Sequence, residues 1–214
     1  MPRILITIPR DRTRTGVLRF FSDDMGVRFE CACLGKADNT EARKHGNASR
    51  DPKRPFGDSP VGTYRVLAIR SAGTSPSDVR SYGPHNVISI EGTSGDALAA
   101  KVNGRTGLLI HGGALSATKT LRPTHGCLRL SDADMASLHG AIAAHGRPAQ
   151  VIVSEPERVD IPDLPALPAI PELGLAAQPA IPAHALGTEP PLSGAEANRQ
   201  IADLQARIEF NKER

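Results

Sequence analysis

The chain has 214 residues, of which 39% are hydrophobic and only 3% aromatic, so it can bury one core of ordinary size built from aliphatic side chains. Its formal net charge is +3 with no block of lysine and arginine, which argues against a nucleic-acid-binding arm. A weak attraction to an anionic cell wall and an ordinary solvated surface both fit this charge.

Short β-prone runs separated by polar turns dominate the first two thirds of the chain. They predict a mostly β fold, a sandwich or a barrel-like structure. A polar loop is predicted over residues 35–54, and His111 is expected just past a strand end, where catalytic groups are often carried. The predicted strands are 4–8, 17–21, 27–34, 61–69, 87–90, 108–110 and 150–153.

One short helix is predicted after residue 130. Ser131 is suited to cap its N-terminus, and Asp134 is suited to return a hydrogen bond to the cap. Apolar residues then recur at helical spacing, and Gly146 is a natural stop.

The composition changes after residue 154. Apolar-proline steps such as Ile161-Pro162 and Leu164-Pro165 recur, and proline excludes a helix or a central strand. We therefore predict a compact domain over residues 1–154, an extended linker over 155–192 and a short amphipathic helix over 193–214. A helix of this length is marginal alone, so we expect it to dock on the chain itself or on a partner protein.

The N-terminus lacks the features of a secretory signal. Only residues 4–6 and 8 form an apolar stretch near Arg3 and Arg10, whereas a signal needs about 7–15 apolar residues and a small-residue cleavage site. No segment is apolar enough to predict insertion into a membrane.

Two glycine-rich segments carry the chemistry of the sequence. The first is Ile110-His111-Gly112-Gly113, and the second is Thr124-His125-Gly126-Cys127. A thiol needs a nearby base to become a nucleophile, and glycines allow amide N–H groups to approach a developing oxyanion. Together these residue types predict a cysteine acyl-transfer site.

The same segments resemble the HG…[ST]HGC pattern of the YkuD-type L,D-transpeptidases, which cross-link peptidoglycan stem peptides through a cysteine acyl-enzyme. Upstream, Ser59-Pro60-Val61-Gly62-Thr63-Tyr64 is similar to the TPxGxY entry to a core strand in this family. The resemblance covers about residues 54–154 and implies that the compact domain is a YkuD-like catalytic domain. Its motif histidines lie 14 positions apart, a little closer than is usual in the family.

The resemblance and the residue chemistry together assign roles. Cys127 is the predicted nucleophile rather than a structural cysteine, and His111 is the predicted base. Because Gly112 has no side chain, a backbone carbonyl must orient the His111 ring. His125 is expected to support the active site, by lining the oxyanion site or holding the loop, rather than to transfer protons directly.

Backbone and substrate contacts complete the predicted site. The N–H groups of Gly126 and Cys127 are the expected oxyanion donors, with Gly112 as a further backbone element. Arg129 would clamp a substrate carboxylate or form an internal salt bridge. Thr124 is expected to fix the turn by a hydroxyl hydrogen bond, and Thr124 and Gly113 are also predicted to line the substrate site.

A metal site is the competing interpretation of the histidines and cysteine. His125 and Cys127 are too close in sequence for a usual zinc ligand pair, and no second half-site occurs, so we predict neither metal nor cofactor. Cys31 and Cys33 face one side of a predicted strand, where they would pair, bind metal or, as we favour, pack as small apolar side chains.

The expected partners are therefore peptidoglycan stem peptides, in the periplasm or cell wall. The missing signal then leaves open that a signal was already removed, that export is non-classical, or that the protein is delivered as an effector. Two other functions stay open. Water could resolve the same acyl-enzyme, giving an L,D-carboxypeptidase, an endopeptidase or a wall-targeting effector. The domain could also be a catalytically dead scaffold, although the intact pair of Cys127 and His111 argues against this.

Overall fold

The computed structural model of the protein describes residues 1–156. It contains eight strands and four helices in that part of the chain. The strands are β1 (Arg3–Thr7), β2 (Gly16–Phe21), β3 (Val27–Cys33), β4 (Gly62–Arg70), β5 (Val87–Gly92), β6 (Leu108–His111), β7 (Leu128–Arg129) and β8 (Gln150–Ser154). The helices are α1 (Asn39–Lys44), α2 (Pro76–Tyr82), α3 (Gly95–Val102) and α4 (Asp132–His145).

The strands form a single sheet in the order β3-β2-β1-β8-β4-β5-β6-β7. Its two edges meet: the N–H and the carbonyl of Leu34, just past β3, both pair with Arg129 of β7 at 2.9 Å. The sheet is therefore nearly closed, which confirms the predicted mostly β, barrel-like fold.

The core lies inside this curved sheet and beneath α4. It is aliphatic, as the composition predicts, and Phe20 and Tyr64 are its large aromatic members. The alternation of side chains along each strand decides which residues enter the core. In β1, Ile4 and Ile6 are fully buried, while their neighbours are only partly covered.

All seven predicted strands are present, with ends shifted by one or two residues. The two-residue β7 was not predicted, and His111 is the last residue of β6 rather than the residue after it.

The helix predicted after Cys127 is confirmed, but the described residues also contain helices that were not predicted. The helix after Cys127 is α4, which has 14 residues, and Ser131 and Gly146 cap it as predicted. Three further helices are present, and α1 occupies part of the predicted polar loop. These helices have six to eight residues, too few for a clear apolar period, so caps and tertiary contacts define them.

The predicted linker lies outside the described residues except for Glu155 and Pro156, and the predicted C-terminal helix lies entirely outside them. Within residues 1–156, no helix is both long enough and apolar enough to cross a membrane.

Candidate active site

The two glycine-rich segments meet where β6 and β7 run side by side. The parallel pairing sets Ile110 beside Leu128 and His111 beside Arg129, so Cys127, which immediately precedes β7, lies next to Leu109 of β6. A cleft of about 410 Å³ opens there, and its lining includes Cys127, His111, His125, Thr124 and Arg129. Sequence reasoning thus identified two segments that the fold does bring together.

The His111 ring is held in a defined orientation. Its side chain is 2% exposed, and its Nδ1 lies 2.7 Å from the carbonyl oxygen of Gly112. A carbonyl can only accept, so Nδ1 carries the proton and Nε2 of the neutral ring is left unprotonated. Tyr82 packs edge-on against the ring, with the ring centroids 5.2 Å apart.

The electrostatic surroundings keep His111 neutral. Burial lowers the pKa of its imidazole to about 4, and the positive charge of Arg129 contributes in the same direction. The hydrogen bond to Gly112 acts the other way but does not offset these effects. The ring is therefore a free base at neutral pH.

Cys127 lies partly exposed in the cleft as a free thiol. Burial of the sulfur raises its pKa above the ordinary value, because the thiolate would be poorly solvated. The backbone of Leu109 and the charges of Arg105 and Arg129 favour the thiolate and partly oppose this. Cys127 and His111 thus rest as a neutral thiol and a neutral imidazole.

A single hydroxyl organises the turn that precedes Cys127. The Thr124 Oγ1 donates to the Cys127 carbonyl at 3.0 Å and accepts from the Gly126 N–H at 2.9 Å. Thr124 therefore fixes the turn through its hydroxyl group, which is one of the two roles predicted for it. The Gly126 N–H is already used and is not free to bind an oxyanion, which leaves the Cys127 N–H as the candidate donor.

Glycine is required at position 126. The residue has φ of +103°, and a Cβ there would lie about 2 Å from a guanidinium nitrogen of Arg105 and from the Gly57 carbonyl. Any side chain would displace the turn that carries Cys127.

His125 lies exposed at the rim of the cleft rather than beside the base. Its ring packs at 5.4 Å from Phe56, which in turn stacks on His45 at 3.7 Å. This arrangement fits a supporting role on the rim, and the catalytic contribution of His125 stays a prediction.

Arg129 and Gly113 are tied into the frame of the site. The Arg129 side chain is 4% exposed and donates to the carbonyls of Gly112 at 3.2 Å and Ser81 at 2.8 Å. The Gly113 N–H donates to Oδ1 of Asp132 at 2.6 Å, so its amide is likewise occupied. These hydrogen bonds to backbone carbonyls hold Arg129 in place without the predicted salt bridge or substrate contact.

The sequence was compared with models of known protein families. Residues 4–153 match the YkuD family, described as the L,D-transpeptidase catalytic domain. The chain belongs to the YkuD family. This family consists of L,D-transpeptidase enzymes that cross-link peptidoglycan, so the YkuD domain acts on the cell wall. A search among curated proteins finds no match.

Several residues of this YkuD domain contribute to the site without being singled out from the sequence. Arg105, Tyr82 and Asp132 contact the two glycine-rich segments, but none of them is among the site residues predicted from the sequence. Ser59 was noted only within the strand-entry motif. A buried arginine such as Arg105 has no sequence signal that distinguishes it from a surface arginine.

Within residues 1–156 of the YkuD domain, no group of three or more His, Cys, Asp or Glu side chains is arranged to hold a metal ion. Cys31 and Cys33 are free thiols against the core, and burial raises the pKa of Cys31 to about 12.

Proposed function

We propose that this YkuD domain forms an acyl-enzyme on Cys127, with His111 as the base, and transfers the acyl group between peptidoglycan stem peptides. The observation that carries the proposal is the protonation pattern of His111. Its Nδ1–H is fixed on the Gly112 carbonyl, so its basic Nε2 is available in the cleft that contains Cys127.

The proposed chemistry follows from the neutral resting pair. The Cys127 sulfur adds to the carbonyl of the L,D-amide while His111 Nε2 takes the thiol proton. The tetrahedral intermediate then expels the terminal D-residue as an amine, which receives that proton from His111. The C–N bond is replaced by a thioester.

The second half of the reaction restores the enzyme. The side-chain amine of another stem attacks the thioester, His111 removes a proton from this amine, and the Cys127 sulfur leaves and regains a proton. Attack by water instead would give the L,D-carboxypeptidase product from the same thioester.

Arg129 is the proposed contact for a substrate carboxylate. It lines the cleft two residues past Cys127. Burial lowers the pKa of Arg129 most, and the nearby charge of Arg122, which also lines the cleft, lowers it further. Two neighbouring guanidinium groups on a cleft wall favour an anionic partner, and diaminopimelate-containing stems offer carboxylates.

Incubation with purified tetrapeptide stems, followed by mass spectrometry, tests the proposal. We expect cross-linked dimers with loss of the terminal D-residue, and no product with the Cys127→Ala variant. Shortened monomers alone would show hydrolysis through the same thioester. Product formation by Cys127→Ala would contradict the assigned nucleophile.

A further inference from the structure

Two side chains outside the cleft hold the peptide that joins Gly126 to Cys127. The Ser59 Oγ donates to the Gly126 carbonyl at 2.9 Å, and the Arg105 guanidinium donates to the same oxygen at 3.1 Å. Ser59 is 2% exposed and Arg105 is 5% exposed, so both contacts are shielded from water. A hydrogen bond in such surroundings is electrostatically stronger than one in water.

Arg105 is itself fixed entirely by backbone. Its guanidinium donates to the carbonyls of Gly57 and Asp58, each at 2.8 Å, and to that of Pro52. No carboxylate is hydrogen-bonded to this guanidinium among residues 1–156. Its positive charge therefore acts on the carbonyls that it contacts, including that of Gly126.

The geometry of a trans peptide links this contact to the cleft. The described residues contain no cis peptide bond, so the Cys127 N–H points away from the Gly126 carbonyl and from Ser59. Ser59 and Arg105 do not line the cleft, whereas Cys127 does. The Gly126 N–H is held by Thr124, and among residues 1–156 no acceptor is hydrogen-bonded to the Cys127 N–H.

We propose that Ser59 and Arg105 are positioning residues for the oxyanion donor of this enzyme. They fix the plane of the Gly126–Cys127 peptide and polarise it, so that the Cys127 N–H binds the oxygen that becomes negative when the Cys127 sulfur adds to a carbonyl. This inference rests on the proposed role of Cys127 as the nucleophile.

Two reactions of the same thiol separate this role from a structural one. Acylation by a carbapenem passes through a tetrahedral oxyanion: the sulfur bonds to the lactam carbonyl, the ring C–N bond breaks, and the ring nitrogen takes the proton. Alkylation by iodoacetamide displaces iodide and forms no oxyanion. An oxyanion donor therefore affects the first rate and not the second.

The test compares both rate constants in the full-length protein and its Ser59→Ala variant. We expect Ser59→Ala to slow acylation about 10- to 100-fold, less than the roughly 10²- to 10³-fold lost when an oxyanion donor itself is removed, while alkylation changes by no more than about twofold. Arg105→Lys keeps the charge but cannot reach the four carbonyls together, so we expect the same selective loss in a smaller amount.

The matched control is Ser22→Ala. The Ser22 hydroxyl is also buried and hydrogen-bonded, to Asp24 and Arg28, but it lies in the turn between β2 and β3. We expect this variant to leave both rate constants unchanged, even where its melting temperature falls.

Three results would overturn the inference. The first is unchanged acylation in Ser59→Ala, and the second is an equal loss of acylation and alkylation, which would indicate a displaced loop. The third is a selective loss in Ser22→Ala as well. A wild-type protein whose Cys127 is alkylated but never acylated would instead contradict the proposed function, and the inference with it.

Discussion

At the scale of single residues, His111 and Cys127 are both uncharged in the resting site. Burial disfavours both the imidazolium of His111 and the thiolate of Cys127, so neither ion is formed before substrate arrives. The Gly112 carbonyl selects the tautomer of His111, and this choice determines which nitrogen can accept the thiol proton. In the proposed mechanism, the proton moves only when the sulfur attacks a carbonyl.

The pH dependence of catalysis follows from the His111 pKa. The base must be neutral in the free enzyme, and its pKa of about 4 means that it stays neutral until the pH approaches that value. We expect the acid limb of kcat/KM for stem peptides to fall near pH 4. An acid limb near pH 6.5, the ordinary histidine value, would contradict the buried environment of the ring.

Substitution of Arg129 separates its two roles. Because the guanidinium donates to Gly112 and Ser81, we expect Arg129→Ala to lower the melting temperature. It should also lower kcat/KM on stems with a free diaminopimelate carboxylate, by an amount equivalent to about 2–5 kcal/mol, and Arg129→Lys should recover only part of this.

The control for Arg129 is a stem whose carboxylate is amidated. If Arg129 binds the carboxylate, the preference of the wild type for the free acid should disappear in Arg129→Ala. An unchanged preference, together with a lower melting temperature, would assign Arg129 to the frame of the protein alone.

At the scale of elements, the site is assembled where β6, β7 and the start of α4 meet. The β6 strand delivers His111, and Cys127 immediately precedes β7. The first residue of α4, Asp132, holds the Gly113 amide. The short β7 strand also closes the barrel through Leu34, so Cys127 lies next to the seam of the sheet.

The N-terminal cap of α4 stabilises the fold, and we expect its removal to leave the reactivity of Cys127 unchanged. The Ser131 Oγ accepts from the Asp134 N–H at 3.0 Å and donates to its carboxylate at 2.6 Å. We expect Ser131→Ala to lower the free energy of unfolding by about 1 kcal/mol, measured by denaturant titration. The rate of thiol alkylation should be retained, and a large loss of it would show that the cap positions the site directly.

The sequence predicted the long strands and α4 because each has a local signal, either alternation or a cap with an apolar period. It missed α1, α2, α3 and β7, which are short and depend on their neighbours. The motif residues Cys127 and His111 were identified from their chemistry, and the fold does bring them to one cleft. Ser59 and Arg105 lie 67 and 21 positions from Gly126, so only the fold reveals their contact.

At the scale of the whole molecule, the barrel is completed by the last described strand. The β8 strand lies between β1, which it pairs in parallel, and β4, which it pairs antiparallel. Glu155 follows it and forms an ion pair with the buried Arg12 at 2.8 Å. The described barrel therefore includes the chain through Ser154, and Glu155 adds an ion pair with Arg12.

A shortened chain tests whether the barrel is complete at this point. We expect a chain that ends at Pro156 to stay folded and to retain activity on soluble stem peptides, because β8 and the Glu155 ion pair are kept. Circular dichroism and the stem-peptide assay measure both properties. Unfolding of this shortened chain would place apolar residues of the proline-rich segment in the core and shift the domain boundary predicted at residue 154.

The most direct test of the account is the site of covalent acylation in the full-length protein. The other two cysteines of the chain serve as controls for Cys127. Cys33 is fully buried, and burial raises the pKa of Cys31 to about 12, so neither should react. After exposure to a carbapenem, intact-mass measurement and peptide mapping should find one adduct, on Cys127, and none in Cys127→Ala. An adduct on Cys31 or Cys33 with Cys127 unmodified would contradict the assignment of the nucleophile.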